Sequence, residues 1–192
     1  MQAPIVRDAT VEDAAAIAAI YAPYVTGTTI TFESTPPDAA EMALRVAAAQ
    51  RTHAFLVLEE DGAVTGYAYA VPYRPRPAYR WSCEVSVYLD PEHRGAGRGR
   101  RLYDALLERV TARGYRMAVA GITQPNEASV RLHHAMGFET VGTYERIGWK
   151  LGQWRDVMRL QLPLGGSLVP RPGPARAVLT RGRGRPRPTA CR

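Results

Sequence analysis

The chain has 192 residues, of which 46% are apolar and 22% charged. This predicts one globular domain with a sizeable core and excludes a wholly disordered protein. The formal net charge of +7 invites a nucleic-acid interpretation, but all 18 acidic residues and 18 of the 25 basic ones precede position 165. Residues 1–164 therefore carry no net charge, and their charge gives no reason to expect a DNA-binding fold.

The last 28 residues have a different composition. Glycine and proline occupy ten of positions 165–192, and the seven basic residues there are all arginines. Such a segment has little to bury, so we predict a folded domain over 1–164 and a disordered tail over 165–192.

Cellular location is indicated by what the sequence lacks. It contains no run of 18 apolar residues and no basic-then-apolar start, so we expect neither a membrane span nor a secretory signal. Cys83 and Cys191 form no disulfide framework and no metal-ligand spacing. We therefore expect a cytoplasmic protein without a metal.

The first half of the domain shows two helical patterns and a hairpin. Thr10, with Asp13 three residues later, opens an apolar run that predicts a helix over about 10–22. A second helix is predicted near 37–50, after a proline pair. The turn dipeptide Asp61-Gly62 then separates two β-rich runs, which predicts a β-hairpin.

The second half alternates strands and helices. Residues 81–89 alternate apolar and polar side chains, as a strand does, and a helix is predicted over about 99–113, ended by Gly114. A strand, a helix and two strands are then predicted in this order: 115–122, 126–136, 138–148 and 153–162. The order predicts one α/β or α+β domain with a mixed sheet.

A glycine-rich loop joins the 81–89 strand to the next helix. It runs through Arg94, Gly95, Ala96, Gly97, Arg98 and Gly99, with Arg100 and Arg101 following at its rim. Glycines at a helix N-terminus let backbone amides approach an anion, so this loop predicts a phosphate site. The spacing fits neither a dinucleotide fingerprint nor a nucleoside-triphosphate loop, and a simple chain-reversing turn remains the alternative.

The pattern of Arg94, Gly97 and Gly99 after a strand resembles the acetyl-coenzyme A loop of the GCN5-related N-acetyltransferases (GNAT). Asn126 with Ser129, followed by Leu132-His133 and Gly137-Phe138, resembles that family's second coenzyme-binding segment. The resemblance implies a mixed, mostly antiparallel sheet flanked by about four helices, with splayed central strands that hold acetyl-CoA. It also implies that the backbone amides of Val87 and Leu89 contact the cofactor and the oxyanion.

A closer resemblance is carried by scattered motifs in a matching order. They are Thr31-Phe32-Glu33, Arg74-x-Arg76-x-x-Tyr79-x-Trp81-x-x-Glu84, Pro125-Asn126 and Gly152-x-Trp154-x-Asp156-Val157. Together they resemble the phosphinothricin and methionine-sulfoximine N-acetyltransferases. This branch implies a homodimer, a role in resistance, and a small amino-acid-like acceptor.

Amide formation from a protonated amine needs a base. Glu84 is the one carboxylate in the middle of its strand, and the resemblance makes it the general base. His133 stands where many family members carry a tyrosine, so three roles stay open for it: a partner of the base, a proton donor to the thiolate, or a substrate ligand.

The acceptor site is assigned from the same resemblance. Arginine forks bind carboxylate and phosphinate groups, so Arg74, Arg76 and Tyr79 are predicted to clamp the acidic groups of the acceptor, while Phe32 and Tyr103 line its pocket. Arg74 replaces the lysine that is usual in the branch, and a solvated basic loop is the alternative.

Two other functions compete with this one. The first is acetylation of a different amine, such as a protein N-terminus or an amino sugar. The second is DNA binding by the tail, where residues 181–188 resemble a minor-groove hook. An arginine-biased composition, with 24 arginines and one lysine, also accounts for that hook.

Overall fold

The computed structural model describes residues 3–165. The predicted tail beyond Gly165, with its hook and Cys191, lies outside the described residues. The helices are α1 (Ala14–Gly27), α2 (Ala39–Thr52), α3 (Arg98–Ala112) and α4 (Glu127–Ala135). The strands are β1 (Ile5–Asp8), β2 (Ala54–Glu60), β3 (Ala63–Pro72), β4 (Ser82–Leu89), β5 (Met117–Thr123), β6 (Glu139–Lys150) and β7 (Gln153–Pro163).

Local signals set most element boundaries. The Asp13 carboxylate accepts a hydrogen bond from the Thr10 amide at 2.8 Å, as predicted, but Val11–Asp13 forms a 3-10 turn before α1 begins. Helix α1 also continues through Pro23, past the predicted end at 22. The extra turn buries Tyr24 and Val25, and this packing stabilises the longer helix. Strand β1 was not predicted.

The seven strands form one sheet in the order β1-β2-β3-β4-β5-β7-β6. Every neighbouring pair is antiparallel except β4 and β5, which run parallel. This confirms the predicted mixed, mostly antiparallel sheet with about four helices. The parallel pair needs a crossover, which α3 supplies.

The sheet buries a different core on each side. On one side, which we call the α3 face, Leu56, Val85 and Leu160 pack with Leu102 and Leu106 of α3. On the other side, the α1 face, the core includes Ile17, Tyr21, Val46, Phe55, Tyr67 and Tyr88. Alternation along β4 therefore places Cys83, Val85 and Val87 on the α3 face and Glu84, Ser86 and Tyr88 on the α1 face.

Two further features concern the helices and the thiol of Cys83. None of the helices in residues 3–165 has the length and apolar character needed to cross a membrane. Cys83 is buried with a free thiol, and burial raises the pKa of that thiol to about 12.

Candidate active site

The sheet opens between β4 and β5. Their parallel ladder covers three residue pairs and ends at Glu84 opposite Val119. Beyond that point, a narrow cavity of about 50 Å³ separates residues 85–88 from residues 120–123. It is continuous with a cavity of about 380 Å³ through the shared lining residues Ile30, Val87, Asn126 and Ser129. The central strands are therefore splayed, as the resemblance implies.

The larger cavity ends at the glycine loop. Its lining there comprises Leu89, Arg94, Gly95, Gly97, Arg98, Gly99 and Arg100. In the described residues, the amides of Gly97, Gly99 and Arg100 donate no hydrogen bond to the chain, as expected for the first turn of a helix. A Cβ built at Gly95 or Gly97 meets nothing within 4 Å. Free donors, open space and the positive end of the α3 dipole are thus suited to bind an anion.

The arginines of this loop have different partners. The Arg98 Nε–H donates one bifurcated hydrogen bond to the two Glu60 carboxylate oxygens, at 2.9 and 3.0 Å. The Arg94 guanidinium lies 5.4 Å from the centre of the Tyr24 ring. Arg100 is exposed, 3.8 Å from Asp104. Arg98 therefore fixes the loop to β2, whereas Arg94 and Arg100 leave charge at the rim.

Helix α4 forms the other wall. The Asn126 side chain caps it by accepting from the Ser129 amide at 3.2 Å. His133 Nδ1 lies 2.7 Å from the Ser129 carbonyl oxygen and must donate to it, so Nε2 accepts from the Tyr103 hydroxyl at 2.9 Å. Burial lowers the pKa of His133, which keeps the ring neutral. Both ring nitrogens are thus engaged within the chain.

Glu84 lies across the sheet from this histidine. Its Oε1 accepts a hydrogen bond from Arg159 Nη1 at 2.9 Å, and the pair is 31% and 15% exposed respectively. Tyr69 and Val71 of β3 stand directly opposite Ser86 and Glu84. The predicted base therefore faces the α1 side, at the point where the sheet opens.

The predicted acceptor residues fall into two groups. Arg74, Arg76 and Tyr79 line one exposed cavity of about 100 Å³, together with Ser82. Ser82 precedes Glu84 by two residues on the same face of β4, a separation of roughly 6.6 Å. Tyr103, by contrast, is fully buried on the α3 face with His133. The structure brings the three loop residues together but places Tyr103 beside His133, on the α3 face.

Phe32 is positioned by a lysine that the sequence analysis did not single out. The Lys150 ammonium donates to the carbonyl oxygens of Val25, Thr31 and Glu33 at 2.7, 2.7 and 2.9 Å. This holds the loop after α1 against β6, where a Cβ built at Gly148 would lie 2.3 Å from the Phe32 ring. The ring is therefore held at the edge of the α1 face.

Arg159 and Lys150 are the site residues that sequence reasoning missed. Their partners lie 75 and 117–125 positions away, so no local spacing relates them. The available signals are weak: Lys150 is the one lysine of the chain, and Arg159 is a charged residue in the middle of a strand. In residues 3–165, no group of three His, Cys, Asp or Glu side chains is placed to hold a metal.

Comparison with known proteins agrees with this geometry. Residues 6–159 match the Acetyltransferase (GNAT) domain. The chain is 43% identical over 162 residues to the phosphinothricin N-acetyltransferase of Alcaligenes faecalis, covering 83% of this chain and 81% of the relative. It is 40% identical over 161 residues to the L-methionine sulfoximine/L-methionine sulfone acetyltransferase of Pseudomonas paraeruginosa, covering 83% and 94%.

A solved structure is similar over nearly the whole described domain. The GNAT superfamily phosphinothricin acetyltransferase from Sinorhizobium meliloti, determined with acetyl-CoA, matches with a TM-score of 0.85 at 40% identity and covers 90% of this chain and 95% of that one.

The chain therefore belongs to the GNAT family of acetyltransferases. It is an acetyl-CoA-dependent N-acetyltransferase, and acetyl-CoA is its co-substrate. The open amides of the glycine loop and the splayed strands are suited to the pyrophosphate and to the extended arm of that co-substrate.

Proposed function

We propose that this protein acetylates the α-amine of a small amino-acid-like acceptor of the phosphinothricin or methionine sulfoximine kind, with Glu84 as the general base. The observation that carries the proposal is the position of Glu84. It stands where β4 and β5 part, on the face opposite His133 and the α3 core. An acceptor on the α1 face and the co-substrate in the cleft would therefore meet at the opening.

Residues of the chain are assigned to proton removal and to stabilisation of the oxyanion. Acetyl-CoA supplies the acetyl group as a thioester. The Glu84 carboxylate takes a proton from the acceptor ammonium, directly or through water, so that the nitrogen can attack. The backbone amides of Val87 and Leu89, on the strand that borders the cleft, are assigned to hold the carbonyl oxygen as its charge develops.

His133 is assigned to the side of the sheet where we place the coenzyme, and its one N–H is already donated to the Ser129 carbonyl oxygen. It lies on the α3 face in a hydrogen-bonded chain with Tyr103 and Ser129, whereas Glu84 is held by Arg159. A direct partnership between His133 and the base therefore has no contact to support it. Turnover of His133→Ala separates the roles: a loss of turnover at unchanged stability supports a catalytic role, and unchanged turnover with lower stability supports packing.

The acceptor's acidic groups are assigned to the loop between β3 and β4. Arg74, Arg76 and Tyr79 share one cavity beside Ser82, which adjoins Glu84 along β4. The relatives described above act, by name, on phosphinothricin and on methionine sulfoximine or sulfone, which carry acidic or strongly polar tails.

The experiment is an acetyl-transfer assay, followed by the thiol released from acetyl-CoA. We expect phosphinothricin or methionine sulfoximine to be acetylated faster than simple aliphatic amines. Transfer to a peptide N-terminus or an amino sugar, with none to any amino acid, would contradict the proposal and favour the other-amine hypothesis.

A homodimer is proposed as the assembly. Large apolar side chains of the β6–β7 hairpin are at least half exposed: Val141, Tyr144, Ile147, Trp149, Leu151 and Trp154. An apolar patch of this kind on an edge strand is typical of an interface. Light scattering should give twice the chain mass, and Trp154→Glu should give the monomer mass; a monomeric wild type would contradict the assembly.

The resistance role, the cytoplasmic location and any DNA binding by the tail stay predictions.

A further inference from the structure

Arg159 uses only part of its guanidinium in the ion pair with Glu84. Nη1 donates to Glu84 Oε1 at 2.9 Å, but Nη2 is buried and has no hydrogen-bond partner in residues 3–165. An unsatisfied buried donor on a charged group is costly, by roughly 1–3 kcal/mol or more, and such groups call for a functional explanation. The free donor therefore points to a ligand atom that completes the site.

The backbone opposite Arg159 is built to admit this side chain. Arg159 pairs with Gly121 in the β5–β7 ladder, and a Cβ built at Gly121 would lie 2.5 Å from Nη1. The guanidinium therefore reaches Glu84 by passing over a residue without a side chain. Its other side faces Tyr73, with 5.8 Å between the guanidinium carbon and the ring centre, at the start of the loop that carries Arg74.

Two other cations near this face are already satisfied. Arg45 forms a two-fold ion pair with Glu33, at 2.8 and 2.9 Å, and the three donors of Lys150 go to backbone carbonyls. A carboxylate arriving beside Glu84 would be repelled by that residue unless Arg159 neutralised the charge. Arg159 both neutralises Glu84 and retains a donor.

We propose that Arg159 is a specificity-determining residue for the acceptor: while Nη1 holds Glu84, Nη2 binds an oxygen of the acceptor's α-carboxylate. The chemistry of an α-amino acid suits this pair, because its amine and its carboxylate are attached to one carbon. Glu84 and Arg159, which are hydrogen-bonded to each other, can then contact the amine and the α-carboxylate of one acceptor molecule at the same time. The inference rests on the proposed function and adds that the free α-carboxylate is required; the loop arginines then face the distal group.

The test compares L-methionine sulfone with its α-carboxamide, which keeps the amine and the tail but lacks the carboxylate. We expect wild type to prefer the acid, as measured by kcat/KM for thiol release. In Arg159→Met, kcat/KM should fall for both compounds, because Glu84 is no longer held, and at least tenfold further for the acid. Arg159→Lys, which keeps the charge, should retain part of the preference.

Two additional variants separate the effect of Arg159 from general effects of charge and of folding. Arg155 lies four residues earlier on the same side of β7 and has no ion pair with Glu84, so Arg155→Met should leave the preference unchanged. An equal loss in both variants would assign the preference to general charge and overturn the proposal. If Arg159→Met does not fold, Gly121→Ala displaces the same guanidinium with its charge intact and should lower the preference likewise.

The outcomes separate this inference from the proposed function. A wild type that acetylates neither these two compounds nor phosphinothricin contradicts the proposed function and removes the inference with it. A wild type that acetylates both compounds equally well, or an Arg159→Met protein with an unchanged preference, overturns the inference and leaves the proposed function standing.

Discussion

Replacing Gly97 by valine should strongly weaken cofactor binding. Gly97 has φ +74° at the start of α3, and its missing Cβ leaves open the space in front of the free amides. A branched side chain there obstructs the pyrophosphate. Hydrogen bonds to a charged group contribute about 1.5–3 kcal/mol each, so losing two of them should weaken CoA binding by at least about 100-fold.

The same substitution also has a backbone cost that must be separated from the effect on binding. A residue with a Cβ at positive φ is disfavoured by about 1–2 kcal/mol, which lowers the Tm of a chain of this length by roughly 2–8 °C. Gly62 is a matched control, since it has φ +82° and its Cβ would also meet nothing within 4 Å, but it lies in the β2–β3 turn. Gly62→Val should therefore lose similar stability.

Isothermal titration calorimetry with CoA, together with thermal unfolding, measures both effects. We expect similar Tm losses in the two variants and a loss of CoA affinity in Gly97→Val alone. If Gly97→Val bound CoA within about threefold of Gly62→Val, a difference of less than 1 kcal/mol, the loop would be a simple turn and the anion-site interpretation would be wrong.

Three further substitutions probe the acceptor pocket and the fold. Gly148→Ala would bring a methyl group to 2.3 Å from the Phe32 ring, against a normal contact of about 3.5–4.0 Å, so the ring must move by about 1 Å or more. The KM for the acceptor should then rise at constant CoA affinity; an unchanged KM would remove Phe32 from the pocket. Arg76→Ala should raise the KM for a glutamate-like or sulfoximine acceptor at least tenfold, since a charge-assisted hydrogen bond contributes about 1.5–3 kcal/mol, and should spare aliphatic amines. Equal kinetics on all acceptors would rule out the clamp. Burial lowers the pKa of His53 to about 4. Between about pH 6.5 and pH 4 this histidine is therefore protonated in the unfolded chain but not in the folded one, and the free energy of unfolding falls as the pH falls. Urea unfolding measures the free energy of unfolding at pH 7 and at pH 4.5. The decrease between the two should be about 2–3 kcal/mol larger in wild type than in His53→Phe, and equal decreases would contradict this.

Elements with local signals could be predicted from the sequence. The hairpin at Asp61-Gly62 is confirmed by positive φ at both residues, and the predicted strand over 81–89 corresponds to Ser82–Leu89. The glycine loop lies between a strand and a helix, as its spacing indicates. These features depend on neighbouring residues, where propensity and turn chemistry act directly.

Strand β1 could not be predicted in this way, because Ile5–Asp8 has four residues and pairs with residues some fifty positions later. The order of the strands is equally non-local.

The candidate site shows the same division. Glu84 and the glycine loop are signalled by pattern and by resemblance, whereas the contact of Glu84 with Arg159 depends on β7 pairing with β5 beside a glycine. Tyr103 is a residue that the sequence did single out but whose position depends on packing. A polar aromatic residue is compatible with either face, and packing of α3 places this one on the side of His133.

The kinetics of Glu84→Gln test most directly the claim that Glu84 is the base. Glutamine keeps the size of the side chain and an oxygen that can accept from Arg159, but it cannot take a proton. We expect kcat to fall by about 10²–10⁴-fold, while CoA affinity, measured by calorimetry, stays close to wild type because the glycine loop, to which we assign the cofactor, is unchanged. Turnover within about threefold of wild type would contradict the assignment of Glu84 as the base.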